Sequence, residues 1–300
     1  MSLTSYRAAP SRVNERVRCV TVHVRIGNPY FKFICSFVTI VGNLQPELIC
    51  NRSFDVKAGK ILIIVHQETS TPGRIGMMLR EKGFSLDIRR PCLGDALPAT
   101  MEEHAGAVMF GGPMSANDSE AWIAREIDWI GVPLKEDKPF LGVCLGAQML
   151  SMHLGGKVSR HHQERVEIGY YPIKPVNGGD GISHWPTQVY QWHRESLTLP
   201  RGAKLFATGE HFENQAYRFG QAAYGIQFHP EVTRLTMHRW VVKAAHRFSL
   251  PHAQGAHEHL HGNLIHDADV KKWLAVFLDR WLSQGVRMEQ KPRSLVEATQ

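Results

Sequence analysis

The chain has 300 residues, 43% of them hydrophobic and 21% charged, enough for one sizeable α/β domain with additional segments. Its formal net charge of +7 is scattered, with no long Lys/Arg run and no zinc-finger or helix-turn-helix pattern, so it reads as solvation and argues against nucleic-acid binding. The five cysteines form no tight framework and fit a reducing cytoplasm, while the apolar run Pro29–Gly42 is too short to cross a bilayer and contains Lys32, so neither anchoring nor export is expected.

Residues 1–58 hold Cys19, Cys35 and Cys50 and carry no clear helical period. They are expected to be an N-terminal extension, either a poorly ordered arm or a mis-called start, with translation beginning at a GTG codon for Val56. From residue 60 the pattern alternates as βαβ units do. Lys60–Val65 reads as a buried first strand, Gly73–Lys82 as a helix, Phe84–Ile88 as a second strand and Ala107–Phe110 as a third. Ser119–Glu136 reads as one helix with Trp122, Ile123, Ile127 and Ile130 on its apolar face. Phe140–Val143 is a strand, and the run from Leu145 is helical. Between Lys157 and Phe228 the strands shorten, with turns at Asn177–Gly181 and Pro200–Gly202, which predicts antiparallel pieces at a sheet edge. Thr233–Phe248 reads as a helix, Pro251–His261 as a histidine-rich loop, and Asp267–Leu282 as a C-terminal helix with Trp273, Phe277 and Trp281 inward. A frayed tail is expected after Ser283. His257, His259, His261 and His266 lack an accompanying thiolate or paired carboxylate, so the reading is a solvated loop and not a metal site.

The segment Phe140-Leu-Gly-Val-Cys-Leu-Gly-Ala-Gln148 places one cysteine between two glycines, after an apolar strand and before a helix. That is the pattern of a nucleophile elbow, in which the apex side chain sits at a helix N-terminus. The positive end of the helix dipole would favour negative charge on the Cys144 sulfur. Taken alone, the pattern also fits a buried structural cysteine in a turn. A reactive cysteine needs a base and an oxyanion hole. Tyr224-Gly-Ile-Gln-Phe-His-Pro-Glu231 alternates as a strand that Pro230 stops, which puts His229 at a strand exit and Glu231 within reach of one imidazole nitrogen. Ala107-Val-Met-Phe-Gly-Gly-Pro-Met-Ser115 runs a strand into two glycines. The backbone N–H groups of Gly112 and Leu145 are the oxyanion candidates.

Together, Gly142–Gln148, the Gly-Gly-Pro-Met-Ser at 111–115 and Gln227–Glu231 resemble the class I (triad) glutamine amidotransferases, in particular stand-alone relatives of the GMP synthase glutaminase domain. Glu167–Pro172, Gln191–Glu195 and Asn214–Arg218 resemble them too, and the likeness covers roughly residues 60–250. It implies a flavodoxin-like, open, mostly parallel sheet with helices on both faces and a cysteine nucleophile elbow. The family domain would span 59–250, with residues 251–300 belonging to the same domain. It also implies hydrolysis of the glutamine side-chain amide by Cys144, His229 and Glu231 through a γ-glutamyl thioester, with Gly112 and Leu145 holding the oxyanion. Gln148, one helical turn after Cys144, corresponds to a position that contacts the glutamine side chain. Trp192 and His193 are expected to line the pocket, although His193 reads equally well as a satisfied loop histidine. No Ser-Gly-Gly-x-Asp-Ser loop and no Walker-type loop is present, so no intrinsic ATP chemistry and no cofactor are expected. The ammonia would go to a separate synthetase subunit, or the enzyme would be a γ-glutamyl peptide or γ-glutamyl amide hydrolase in the same fold.

Overall fold

A computed structural model of the chain describes residues 59–289 together with the strands β1 (Cys19–Val22) and β2 (Cys35–Val38). Two units are distinguished, Met1–Asp55 and Val56–Gln300. In the first, β1 and β2 pair antiparallel, with Cys19 opposite Val38. The rest of the expected arm at 1–58 lies outside the described residues, which resume at Gly59.

The second unit follows the βαβ alternation. Its elements begin with β3 (Lys60–Ile64), α1 (Gly73–Glu81), β4 (Ser85–Arg89), β5 (His104–Met109), α2 (Ala121–Trp129), α3 (Gly131–Lys135), β6 (Phe140–Val143) and α4 (Leu145–His153). The later half holds β7 (Val158–Arg160), β8 (Glu167–Pro175), β9 (Gln188–His193), β10 (Glu195–Leu197), β11 (Lys204–Gly209), β12 (Asn214–Phe219) and β13 (Ala223–Ile226). Helices α5 (Arg234–Lys243) and α6 (Ala256–Glu289) complete it.

Nine strands form one sheet in the order β4-β3-β5-β6-β13-β12-β11-β8-β9. The first five run parallel; β12, β11, β8 and β9 extend the sheet antiparallel, as the short strands predicted. The parallel half has the doubly wound order of a flavodoxin-like fold, in which ligands bind outside the carboxyl ends of the strands. Strand β3 shows why helices cover both faces. Ile61 and Ile63 pack against Ile75 and Leu79 of α1 and Trp273, Phe277 and Trp281 of α6. Leu62 and Ile64 pack on the other face, in a cluster with Ile123 of α2 and Met149 and Leu150 of α4. A strand buried on both sides needs this continuous apolar run.

Three readings of the sequence are corrected. Ser119–Glu136 is not one helix: it divides at Ile130 into α2 and α3, because Pro133 in a continuous helix would press its ring on the Trp129 carbonyl. The helix read as Thr233–Phe248 is α5 followed by a 3-10 segment, Ala245–Ser249; Thr233 caps α5, its Oγ1 accepting the Thr236 N–H. The histidine-rich segment is a helix from Ala256 onward, continuous with the C-terminal helix, and it runs past Ser283 to Glu289 where fraying was expected. Helical spacing separates the histidines. His257 and His261 stack on one side, while His259 is buried on the other, its Nε2 donating to the Gln254 carbonyl and its Nδ1 accepting from the Tyr190 hydroxyl. Burial pushes the His259 imidazole below its ordinary value. Among the described residues no helix is long and apolar enough to cross a membrane.

Trp273 is fully buried between Phe228 and Phe277. Trp273→Ala is expected to cost about 3–5 kcal/mol of stability, read from urea unfolding. A loss below about 1 kcal/mol would show that α6 does not close this face of the core.

Candidate active site

The elbow forms as the glycines require. Cys144 lies between β6 and α4, as the N-cap of α4, with φ 51° and ψ −105°, a positive φ that costs a non-glycine residue about 1–3 kcal/mol. A side chain at Gly146 would strike the Met109 carbonyl, and one at Gly142 would strike the Gly146 carbonyl, so both flanks must be bare. The strain is held by pairing on both sides: the Cys144 N–H donates to the Ile226 carbonyl (2.8 Å), and its carbonyl accepts the Gln148 N–H (3.0 Å). The cysteine is buried at 5% exposure, and its free side chain faces a cavity of about 520 Å³ at the carboxyl ends of β3, β5, β6 and β13.

Parallel pairing of β6 with β13 brings the chain around His229 to the Cys144 turn. His229 lies three residues beyond β13, not at its last residue. Its N–H donates to the Tyr190 carbonyl (2.8 Å). Glu231 is tied to the start of α1, its carbonyl accepting the Arg74 N–H (2.8 Å). These anchors leave His229 Nδ1 at 2.7 Å from Glu231 Oε1. Nε2 is buried without a hydrogen-bond partner. Burial alone would push the imidazole down, but the Glu231 carboxylate and then Cys144 outweigh it and hold His229 up at about 10. Trp240 of α5 packs edge-on to the His229 ring at 5.1 Å between centroids.

The Gly111–Gly112 turn lies against this pair. A side chain at Gly111 would come within 2.9 Å of His229 Cε1 and 3.3 Å of Cys144 Cβ. Gly112 is packed between His66 and Leu145. Gln148 is buried and lines the cavity, its Nε2 donating to the Glu195 carbonyl (3.0 Å) and to Gln227 Oε1 (3.3 Å). Trp192 and His193 also line it. His193 is satisfied internally: Nδ1 donates to the Glu195 carbonyl (3.0 Å) and Nε2 lies 3.1 Å from Glu167 Oε2. Glu167 also accepts from Gln215, whose Oε1 accepts from Gln191, so the three intermediate motifs meet in one buried network. Trp192 joins an aromatic group with Trp240, Phe248 and His259. All eight predicted site residues therefore gather around one cavity.

Sequence reasoning missed Trp240 and the cavity's basic outer wall of Arg194, Arg239, Lys243 and Arg247. The three from 239 to 247 lie on α5 and the 3-10 segment after it, where ordinary surface spacing gives no local signal.

The sequence profile described as glutamine amidotransferase class-I matches residues 74–244. The chain is similar to the glutamine amidotransferase-like protein YfeJ of Salmonella typhimurium, 29% identical over 58% of this chain and 76% of that one. It is also similar to the glutamine-hydrolyzing GMP synthase of Aeropyrum pernix, 30% identical over 53% of this chain, a match that spans only 30% of that protein's length. Among solved structures, a glutamine amidotransferase from Thermotoga maritima is 32% identical with a TM-score of 0.68, covering 75% of this chain and 98% of its own. Elbow, sheet order and profile converge, and the chain belongs to the class I glutamine amidotransferases, a family of cysteine-dependent enzymes.

Proposed function

We propose that the protein hydrolyses the side-chain amide of glutamine with Cys144 as nucleophile and His229–Glu231 as its proton carrier. The observation that carries this reading is His229 itself, fixed by Glu231 at 2.7 Å on one nitrogen, with its other nitrogen buried and unpartnered and its ring and the Cys144 side chain both lying against Gly111. Cys144 gives its proton to Nε2, and the sulfur attacks the amide carbon. The Gly112 and Leu145 N–H groups stabilise the negative charge that develops on the carbonyl oxygen. The C–N bond breaks, and the leaving nitrogen takes the proton from the imidazolium and departs as ammonia. Water then attacks the γ-glutamyl thioester, gives a proton to His229, and releases glutamate with the thiol restored. Glu231 orients the ring and supports its charge. Gln148 has committed its amide nitrogen to Glu195 and Gln227 and offers Oε1 to the substrate amide, while Trp192 and His193 shape the wall beside it. The ammonia passes to a separate synthetase subunit in the cytoplasm.

A second reading rests on the shape and charge of the same cavity. Its volume of about 520 Å³ falls among sites that take drug-sized molecules, about 300–1,000 Å³, and exceeds what one amino acid fills. The outer wall carries Arg194, Arg239, Lys243 and Arg247. Burial and then the like charge of Arg194 push the Arg247 guanidinium down. Guanidiniums sharing one cavity wall favour an anionic ligand group, as in a γ-glutamyl peptide whose leaving amine is itself an amino acid.

A substrate screen of glutamine against γ-glutamyl peptides decides between the two. Cys144→Ala should abolish release of ammonia or amine from every substrate; surviving activity would remove the mechanism. His229→Asn should lower kcat/KM by about 10²–10⁴. Since the active form carries the imidazolium, kcat/KM should fall on the alkaline side with an apparent pKa near the His229 value of about 10. Glu231 raises that value, so Glu231→Gln should move the alkaline limb to lower pH, and an unmoved limb would deny it the charge-supporting role. Under the second reading, Arg247→Ala should raise KM roughly fivefold for a γ-glutamyl peptide with an acidic end, the scale of an exposed ion pair, and leave KM for glutamine within about twofold.

A further inference from the structure

Directly after β3, His66 is 1% exposed, and it takes no part in the chemistry described above. Its Nδ1 lies 3.1 Å from the Gly111 carbonyl oxygen, and its Nε2 lies 2.8 Å from Glu126 Oε2. Glu126 sits on α2 and is fully buried, with its other oxygen unpartnered. A buried carboxyl group facing a buried imidazole is costly to keep unless it does something that an apolar pair would not.

The Gly111 carbonyl gives that function a direction. A carbonyl oxygen only accepts, so Nδ1 carries the proton and donates to it. The peptide between Gly111 and Gly112 is planar, and among the described residues no peptide bond is cis. In a trans peptide the C=O and the N–H of the next residue point in opposite directions. Holding the Gly111 oxygen toward His66 therefore turns the Gly112 N–H away from His66. His66 does not line the cavity, whereas Gly111, Gly112, Cys144 and Leu145 do. Glycine at both positions would otherwise let this peptide rotate freely, since no side chain restricts it.

We infer that His66 and Glu126 are positioning residues that aim the Gly112 N–H into the oxyanion hole by clamping the Gly111 carbonyl. This rests on the proposed acylation at Cys144. Glu126 sets the plane of the imidazole through Nε2, His66 sets the peptide through Nδ1, and the peptide presents its N–H beside that of Leu145. The clamp joins the ends of β3 and β5 to α2, so the donor is fixed by the scaffold and needs no substrate to orient it.

The test uses the full-length protein and separates oxyanion stabilisation from nucleophile reactivity. The double variant His66→Leu/Glu126→Leu removes the clamp without stranding a buried charge, a swap that buried pairs tolerate. Its kcat for glutamine should fall about ten- to hundredfold, below the roughly 10²–10³-fold cost of deleting a donor outright, with KM within about threefold. Alkylation by iodoacetamide, followed at the Cys144 peptide by mass spectrometry, should keep its wild-type rate within about threefold, because displacement at a saturated carbon develops no oxyanion. His66→Asn placed in the Glu126→Leu background, where the amide nitrogen can occupy the place of Nδ1 and no buried carboxyl group is left unpaired, should recover kcat to within about tenfold of wild type. If the double variant does not fold, Glu126→Gln replaces it and should show a smaller drop in kcat with unchanged alkylation. Wild-type kcat in the clamp variant, alkylation that falls in step with kcat, or an Asn variant as slow as the leucine one would each overturn the inference. The underlying reading fails separately, if Cys144→Ala retains glutaminase activity.

Discussion

Everything at this site hangs on a single backbone ladder, the parallel pairing of β6 with β13. It sets the Ile226 carbonyl opposite the Cys144 N–H and so holds the cysteine in its positive-φ apex. The same pairing delivers the chain to His229, three residues beyond the end of β13. Strain at one strand end and the placing of His229 at the other are thus consequences of one register. A slip would lose both, because it would carry the apolar residues of β13 to the opposite face as well.

The low exposure of the three central side chains decides how their charges behave. His229, Glu231 and Cys144 are all nearly buried, and burial alone would keep the imidazole neutral. The attraction of Glu231 and Cys144 wins because the same low dielectric that penalises a lone charge strengthens a close pair. Trp240 adds an apolar wall against the ring. The basic residues of the cavity wall lie on α5, on the 3-10 segment after it and, for Arg194, just past β9, so they come from other parts of the chain than the Cys144 turn.

The parts of this arrangement that were legible in the sequence are those encoded by adjacent residues. Gly142, Cys144 and Gly146 state an elbow within five positions, and His229 and Glu231 stand two apart. Gly112 was legible as a bare turn, although nothing local linked it to His66, far earlier in the chain and at another strand's end. The clamp between His66 and Glu126 is likewise a product of tertiary packing between β3 and α2. The C-terminal histidines misled because their alternation suggests period 2, while a helix sorts them by about 3.6 and sends His259 inward to Tyr190. Pro133 was in plain view and should have ended the long helix; the apolar spacing around it masked the break.

The register of β6 against β13 has one further result, in time and not in space. Cys144 is made before the strand that holds it, because β13 comes about 80 residues later in the chain. Until β13 pairs with β6, the Ile226 carbonyl that holds the Cys144 apex is not in place. Closing so long a loop is slow compared with forming local helices. The strained turn at Cys144 is therefore completed by a strand that the chain supplies late.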